Sequence, residues 1–437
     1  LARKRSEPAR QAQTRAWGGD ARANMVIACA LSGGVDSAVS LYLLLKRLPR
    51  RLVKAVFMTN WNEGGDTTCP LSDDLKSVRA VAEHLDVELH TVDFSKDYWL
   101  HVFEPMVDDY RNGLTPNPDV LCNRHIKFDR LLEFCQTRLG AERLATGHYA
   151  RICCDSRSAA DGGGGGGGGH GRGRGLHLLR GLDRRKDQTF FLAGIRREAL
   201  AFAEFPVGHL PKRAVKQIAV EMGLPELARR KESTGICFIG KRNFREFIDE
   251  YVERRPGNFV DIDTGKVVGQ HQGRHQWTLG QRAHIWSSGR PYFVARFTAG
   301  EDILVCQGNS HPSLFCDMFV TRSGHWLNES YRGWSGALGF KTQHIDPVMQ
   351  CRVEPIAVEL TSDSDSDIGV DGGGGPPLRV RLGHFKRAVA PGQYVVFYDG
   401  DECVGSAKID RLGPTLDTIL GPSSEATQRR SREETAN

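Results

Sequence analysis

Near the N-terminus, an apolar stretch leads into the run Ala-Leu-Ser-Gly-Gly-Val-Asp-Ser, whose residue types suit phosphate binding. Ser32 and Ser37 supply hydroxyl groups, while Gly33 and Gly34 offer backbone N–H groups that an anion can approach closely. The run lacks the lysine of a G-x-x-x-x-G-K-[ST] loop and the spacing of a G-x-G-x-x-G fingerprint. It suits pyrophosphate instead, with Asp36 as a candidate Mg²⁺ ligand. The chemistry predicted is attack at the α-phosphate of ATP, which releases pyrophosphate.

Alternating strand-like and helix-like segments are expected to position this run. The predicted strands are VIACAL, AVFMTNW, VELHTVDF and RLATGHYA, and the predicted helices are SAVSLYLLLKRL, 95–112, 123–139 and one with Ser72 as its N-cap. Short links between such segments predict an α/β fold with a doubly wound parallel sheet. Ligands of such sheets bind beyond the carboxyl ends of the strands. Ser32–Ser37, Met58–Trp61 and Thr146–His148 are therefore expected at one edge.

The rest of the chain predicts further domains. Short alternating strands from about Ile303, with a hairpin at YVVFY-DGD-ECVG, indicate a small C-terminal β-barrel after a mixed α+β region. Two low-complexity segments are expected to form flexible loops. The predicted organisation is a basic extension (1–24), a nucleotide domain (25–205, insertion 155–175), a central tRNA-binding or adaptor domain (206–302), a barrel (303–413, insertion 362–377) and a polar tail (414–437).

Composition bounds the function further. The 437 residues are 40% hydrophobic and 26% charged, and 59 basic against 53 acidic residues give a formal charge of +6. This charge favours a polyanionic partner only weakly. No apolar run approaches membrane-spanning length, so no membrane association is expected. The 11 cysteines form no C-x-x-C pair. Neither a structural zinc site nor a thioredoxin motif is therefore predicted, and a reducing compartment is favoured.

The first 24 residues carry six Lys or Arg and two acidic residues. This composition is typical of an organellar transit segment and equally of a disordered basic extension. A mitochondrial or other organellar location is expected, with a cytoplasmic one as the alternative.

Two sets of motifs resemble known families. The Ser-Gly-Gly-x-Asp-Ser motif at 32–37 resembles that of the PP-loop ATP pyrophosphatases, which have an adenine nucleotide α-hydrolase-like fold. Further motifs resemble the tRNA-specific 2-thiouridylase family, colinearly over about residues 24–413. They are TPNPDVLCN (115–123), GHYAR (147–151), LLRGLD and KDQTFFL (178–192), FPVG (205–208), STGICFIG (233–240), TLGQR (278–282) and APGQYVVFY (390–398).

The resemblance implies a role for each matched position. It implies ATP binding by Ala30, Leu31, Ser32, Gly33, Gly34, Val35, Asp36, Ser37, Met58 and Gly147. It implies contacts with the target base by Asn117, Pro118 and Asp119, and with tRNA by His148, Lys186, Asp187, Gln188 and Gln393. The partners implied are the anticodon stem-loop of tRNA and a persulfide sulfur-donor protein, the cofactors are ATP and Mg²⁺, and a monomer is expected.

The same resemblance assigns the sulfur chemistry to two cysteines. Cys122 is implied as the nucleophile and Cys237 as the persulfide carrier, with a transient Cys122–Cys237 disulfide. The oxygen on C2 of uracil is a poor leaving group until it is adenylated, and a bare thiol has no transferable sulfur, so this division of labour is chemically reasonable. Asp119, three residues before Cys122, is placed to act as a general base or to orient the uracil.

The chain departs from the family pattern at two places. Gln343 and His344 stand where an arginine followed by Tyr or His often meets tRNA, and because both side chains can still hydrogen-bond, they are expected to contact tRNA. Residues 283–286 replace the usual Gly-Leu after TLGQR. The basic pair Lys212 and Arg213 is expected on a solvated helix face rather than at a tRNA phosphate.

Other functions stay open on the residues alone. These are another PP-loop enzyme of the lysidine-synthetase or amidotransferase type, a non-catalytic tRNA-binding protein, and a thiolase with an iron–sulfur cluster. Cysteines outside the two motifs are interpreted as small buried apolar residues, except Cys69 in a polar loop.

Overall fold

The computed structural model describes residues 25–61, 70–154, 175–231, 242–285, 289–357 and 375–421. The basic extension, Cys69, the glycine run, the motif at 233–240 with Cys237, and most of the second insertion and of the polar tail lie outside these ranges. The described chain forms two compact units. The first contains residues 25–101, 119–231 and 400–404, and the second contains 102–118, 242–399 and 405–421.

A five-stranded parallel sheet forms the centre of the first unit. Its strands are β1 (Ile27–Ala30), β2 (Val53–Thr59), β3 (Leu89–Asp93), β4 (Arg143–Ala145) and β7 (Ala203–Glu204), while β5 (Ala150–Cys154) and β6 (Leu176–Arg180) form an antiparallel hairpin. The order β3-β2-β1-β4-β7 places the three strands that precede predicted site residues side by side. The predicted parallel α/β domain is therefore confirmed.

The helices predicted between the strands of the first unit are present, with differences at their ends. The helices of the described chain, in both units, are Val35–Leu45, Pro70–His84, Ser95–Tyr98, Glu104–Arg111, Pro118–Leu121, Leu132–Leu139, Thr189–Leu192, Arg197–Leu200, Lys212–Glu221, Pro225–Arg229, Phe244–Ile248 and Leu416–Leu420, with π-helical turns at Trp99–Phe103 and Cys122–Leu131. Because the second helix already begins at Pro70, Ser72 lies inside it and is not its N-cap.

The helices after residue 206 belong to the first unit. Val215, Ala219 and Leu227 lie in the same buried cluster as Val39 of the first helix and Ile27 of β1. The predicted start of the central domain at 206 is therefore too early, because the apolar face of Lys212–Glu221 completes the core of the nucleotide domain.

The second unit contains a five-stranded sheet with the order β10-β11-β12-β8-β9. Its strands are β8 (Gly257–Asp261), β9 (Val267–His271), β10 (Arg282–Ala283), β11 (Tyr292–Phe297) and β12 (Ile303–Gln307). β12 pairs with β11 and with β8, so the strand predicted to open the barrel at Ile303 lies in this sheet instead.

The second unit also contains the predicted C-terminal barrel. Its strands are β13 (Phe315–Ser323), β15 (Gly336–Lys341), β16 (Met349–Pro355), β17 (Pro377–Arg387), β18 (Tyr394–Asp399) and β19 (Glu402–Leu412), with the short β14 (His325–Trp326) beside β19. The order β13-β17-β16-β15-β18-β19 closes because β19 also pairs with β13. The DGD hairpin is present between β18 and β19.

None of the helices in the described ranges has the length and apolar character needed to cross a bilayer.

Candidate active site

The glycine turn after β1 has the geometry of an anion-binding loop. Gly33 has a φ of +77°, a left-handed conformation that favours glycine. The Ser37 hydroxyl accepts a hydrogen bond from the Ser32 backbone N–H at 3.1 Å and donates to the Gly34 carbonyl at 3.0 Å. Ser32 Oγ lies 3.3 Å from Ser37 Oγ and is exposed. Hydroxyls and backbone N–H groups at a helix N-terminus are the donors that phosphates require.

The end of β4 packs directly against this turn. A Cβ on Gly147 would lie 2.8 Å from the Ser37 backbone nitrogen and 2.9 Å from the Asp36 carbonyl carbon. Met58, near the carboxyl end of β2, is half-buried. The expectation that the ends of β1, β2 and β4 form one edge is confirmed by the parallel pairing of these strands.

A Gly147→Ala substitution is expected to weaken ATP binding by roughly tenfold or more, because the new methyl group must displace the backbone of the phosphate loop. Titration calorimetry with ATP measures this loss. Gly383→Ala is the matched control, since its Cβ would meet its nearest atom at an ordinary 3.5 Å. Unchanged ATP affinity in the Gly147 variant would contradict the packing described here.

Lys212 is a site residue that the sequence reasoning missed. Its Nζ lies 2.8 Å from Oδ1 and 2.7 Å from Oδ2 of Asp36, and the Tyr149 hydroxyl donates to the same Oδ1 at 2.7 Å. The Lys212 side chain is only 11% exposed. The expected solvated face is therefore wrong for Lys212, whereas its neighbour Arg213 is exposed as expected. The ammonium is 176 residues from its partner, and only its position at the first turn of a helix after Pro211 marked it in the sequence.

The loop 183–188 is predicted to bind tRNA, and hydrogen bonds to one of its residues, Asp187, hold its shape. Asp187 is buried, and its carboxylate accepts hydrogen bonds from the backbone N–H groups of Gly181 and Thr189, from the Thr189 hydroxyl and from Arg180. In this conformation Asp187 holds the shape of the loop, while Lys186 is half-buried. A direct contact between Asp187 and tRNA stays a prediction.

The same loop is bonded to both partners of Asp36. The Gln188 side chain accepts from the Tyr149 backbone N–H at 3.0 Å, and the Gln188 N–H donates to the Tyr149 carbonyl at 3.0 Å. The Asp183 carboxylate accepts from the Lys212 backbone N–H at 2.9 Å. Two routes of hydrogen bonds therefore connect residues 183–188 with the Asp36 carboxylate.

Cys122 begins a π-helical segment in the first unit, directly after the short helix Pro118–Leu121. The segment is kinked at Phe128, whose φ of −102° and ψ of 18° are not helical. Cys122 is buried, with 4% of its surface exposed. The next residue, Asn123, is fixed by its Nδ2, which donates to the Phe191 carbonyl at 3.1 Å. Cys237 lies outside the described residues, so the Cys122–Cys237 disulfide stays a prediction.

Two ionisable side chains of the first unit, Asp119 and His148, have pKa values that are shifted by burial. Burial raises the pKa of Asp119, and the positive charge of Lys127 opposes this rise. Burial, together with the same Lys127 charge, holds the pKa of His148 well below its usual value. His148 Nδ1 lies 2.8 Å from the Thr146 hydroxyl. We therefore expect a neutral imidazole at His148 and a carboxyl at Asp119 that is easier to protonate than an ordinary aspartate.

In the second unit, the loop before Cys122 is held by two other predicted motifs. The Thr115 N–H donates to the Pro391 carbonyl at 2.9 Å, and Gln393 Nε2 donates to the Pro116 carbonyl at 3.2 Å. Asn117 Nδ2 lies 3.5 Å from Gln393 Oε1. The Thr115 hydroxyl also contacts that of Thr278 in the TLGQR motif. Gln393 therefore contacts Asn117, one of the residues predicted to contact the target base, and the residue before it.

The two residues at 343–344 that differ from the family pattern lie in a turn after β15. Gln343 is exposed, and its N–H donates to the Asp346 carboxylate at 3.0 Å. His344 is half-buried, and its carbonyl lies 3.4 Å from Lys341 Nζ. Both residues lie at one loop of the barrel, and their contact with tRNA stays a prediction.

Comparisons with known proteins agree with these motifs. Family models match in succession: a tRNA methyl transferase HUP domain over 25–241, a tRNA methyl transferase PRC-barrel domain over 245–307 and an aminomethyltransferase beta-barrel domain over 376–409. Mitochondrial tRNA-specific 2-thiouridylase 1 of Drosophila melanogaster is 42% identical over 398 residues, which cover 90% of this chain and 95% of the relative. The chain belongs to the tRNA-specific 2-thiouridylase family. The family resemblance of the motifs is thereby confirmed.

Two further 2-thiouridylases show how wide this similarity is. The human protein named mitochondrial tRNA-specific 2-thiouridylase 1 is 38% identical, covering 90% of this chain and 92% of its own. The tRNA-specific 2-thiouridylase MnmA of Tolumonas auensis is 39% identical, covering 87% and 95%. The similarity therefore extends to both mitochondrial and bacterial members.

Within the described ranges, no group of three or more His, Cys, Asp and Glu side chains is arranged to hold a metal. Asp36, the predicted Mg²⁺ ligand, already accepts two contacts from the Lys212 ammonium. Mg²⁺ commonly binds through one or two carboxylates together with substrate phosphates. Binding of Mg²⁺ by Asp36 stays a prediction.

Proposed function

We propose that this chain is a tRNA uridine 2-sulfurtransferase, which uses ATP to convert the wobble uridine of tRNA into 2-thiouridine. The observation that carries this proposal is the 42% identity along 95% of a relative named as a 2-thiouridylase. The anion loop at Ser32–Ser37 and the buried Cys122 support it, because the reaction needs both a pyrophosphate site and a thiol.

The proposed reaction balances with two cysteines. The uracil O2 attacks the α-phosphorus of ATP, the bond between the α-phosphorus and its bridging oxygen breaks, and pyrophosphate leaves. The terminal sulfur of a Cys237 persulfide then attacks C2, and AMP leaves with the former O2. Cys122 finally attacks the Cys237 sulfur, which releases 2-thiouridine and leaves a Cys122–Cys237 disulfide for an external thiol to reduce.

The predicted site residues would divide this work. Ser32–Ser37 and Gly147 hold the nucleotide, while Mg²⁺ would be carried by its phosphates with Asp36 as a protein ligand. Asp119 would accept a proton or orient the base beside Cys122. The loop 183–188 and the side chains of Asn117 and Gln393 would bind the anticodon stem-loop.

Compartment and sulfur source are part of the same proposal. The relatives from the fly and from humans are named mitochondrial, and we propose a mitochondrial location for this chain as well. The persulfide would come from a sulfur-donor protein, and the active species would be a monomer.

Mass spectrometry of tRNA nucleosides tests the function directly. Purified protein, tRNA, Mg²⁺, ATP and a persulfide source are expected to yield 2-thiouridine, with one AMP and one pyrophosphate for each thiolated base. An ATP analogue with a methylene bridge between the β- and γ-phosphates should still support the reaction, whereas an α,β-methylene analogue should not. A tRNA with cytidine at the wobble position is the matched control. Formation of ADP, or of 4-thiouridine instead, would overturn the proposal.

A further inference from the structure

The phosphate loop lacks a lysine in its own sequence, yet an ammonium group lies beside it. Lys212 comes from the helix Lys212–Glu221, whose apolar residues lie in the core of the nucleotide domain. Its Nζ contacts both carboxylate oxygens of Asp36, the residue directly before Ser37. We propose that Lys212 is a catalytic residue that moves from Asp36 to the phosphate chain of bound ATP and stabilises the departing pyrophosphate. This inference rests on the proposed function, because it assigns a role in the same adenylation step.

Electrostatics give the reason for the contact that the structure contains. A bare carboxylate in the first turn of the helix would repel the phosphates that the loop is built to bind. The Lys212 ammonium neutralises Asp36 while it is itself largely removed from water. Burying an ammonium is costly without a partner of opposite charge, so Asp36 is the group that keeps the lysine in the site.

The geometry of Lys212 would allow its ammonium group to move while its backbone stays fixed. The backbone N–H of Lys212 donates to Asp183 at 2.9 Å, which fixes the start of the helix. The four-carbon stem remains flexible and carries a compact charge with three donors. The Tyr149 hydroxyl also donates a hydrogen bond to Asp36, so the carboxylate would keep one partner after the ammonium leaves.

The chemistry requires positive charge where Lys212 can supply it. When the uracil O2 bonds to the α-phosphorus, the electron pair of the broken P–O bond passes to the oxygen that bridged the α- and β-phosphates, which becomes a terminal oxygen of pyrophosphate. A positioned donor at such an oxygen contributes about 10²- to 10³-fold to the rate. Transfer of the ammonium would at the same time release Asp36 for Mg²⁺, so one carboxylate would serve two cations in turn.

The test uses the full-length protein with Lys212→Met, Lys212→Arg and the control Arg213→Met. Arg213 is the exposed neighbour on the same helix, and its loss is expected to change neither pyrophosphate affinity nor AMP formation. Calorimetry with sodium pyrophosphate as the probe should show roughly tenfold weaker binding to Lys212→Met. AMP formation should fall by about 10²- to 10³-fold, and Lys212→Arg should recover part of both.

A double variant separates catalysis from a merely structural ion pair. Lys212→Met leaves Asp36 without its ammonium, so Lys212→Met/Asp36→Asn removes the stranded charge and should restore the melting temperature. The proposal expects pyrophosphate binding to stay low in this double variant. Its recovery to the wild-type value, or wild-type pyrophosphate affinity in Lys212→Met, would overturn it. Because pyrophosphate binding is measured without tRNA, this result is independent of whether the wild-type protein forms 2-thiouridine.

Discussion

Replacement of Cys122 by serine is expected to abolish catalytic formation of 2-thiouridine while tRNA-dependent release of pyrophosphate continues for a single turnover. Adenylation uses only the nucleotide loop and the uracil, so it does not need the thiol. Sulfur attack from Cys237 would then proceed, but no thiol would be present to break the sulfur–sulfur bond. We expect a tRNA bound covalently to Cys237 through a disulfide, and multiple-turnover thiolation reduced by about 10³-fold or more.

This adduct is the sharpest sign of the assigned division of labour. A denaturing gel run without reductant should show tRNA and protein migrating together, and dithiothreitol should release a thiolated tRNA. The Cys237→Ser variant should form no adduct, and Cys153→Ser, which changes an exposed cysteine of β5, should behave as the wild type. Normal turnover in Cys122→Ser without an adduct would assign the resolving step to another group.

Two other cysteines of the first unit, Cys29 and Cys135, are poor candidates for such a group. Burial raises the pKa of the Cys135 thiol to about 12, and Cys29 shifts in the same direction for the same reason. Because the thiolate is the nucleophile, a thiol that stays protonated near neutral pH reacts slowly. This agrees with the interpretation of these two residues as small buried apolar side chains, whereas the same interpretation is wrong for Cys153, which is exposed.

Local pattern was sufficient to predict the elements of the fold but not where its units end. The alternation of strands and helices predicted the parallel sheet, and the Asp-Gly turn predicted the hairpin of β18 and β19. The boundaries at 206 and 303 failed for one physical reason. Val215 packs in the first core and β12 pairs with β8, and both are tertiary partners that no local periodicity reveals.

In the candidate site too, the sequence predicted local features but not tertiary contacts. Motifs that are contiguous in the chain, such as the Ser32–Ser37 loop, were predictable from residue type and spacing. Lys212 was not, because a lysine on an amphipathic helix is usually solvated, and only folding brings its Nζ to Asp36. The hydrogen bonds of Gln393 with the loop before Cys122 belong to the same class, since 276 residues separate Gln393 from Asn117.

Replacement of Asp119 by asparagine is the second change with a large expected effect. If Asp119 acts as the general base, its loss should lower thiolation by about 10²- to 10⁴-fold with ATP affinity unchanged. The base must be ionised to accept a proton, so the rate should rise with pH as Asp119 loses its proton. Because burial raises the pKa of Asp119, this rise should lie at a higher pH than for an ordinary aspartate.

Lys127 provides the test that distinguishes a base from a merely orienting side chain. Its positive charge stabilises the Asp119 carboxylate, so Lys127→Met should raise the pKa of Asp119 further and shift the rise in rate to still higher pH. His148 also feels this charge, but burial already holds its pKa well below the usual value, so His148→Asn should leave the position of the rise unchanged. Single-turnover rates of 2-thiouridine formation measured across pH in the wild type and both variants give the answer. If the pH of the rise in rate does not change in Lys127→Met, or if the rise disappears in His148→Asn, Asp119 has an orienting role only. A group that merely positions the uracil need not lose a proton for the reaction to proceed.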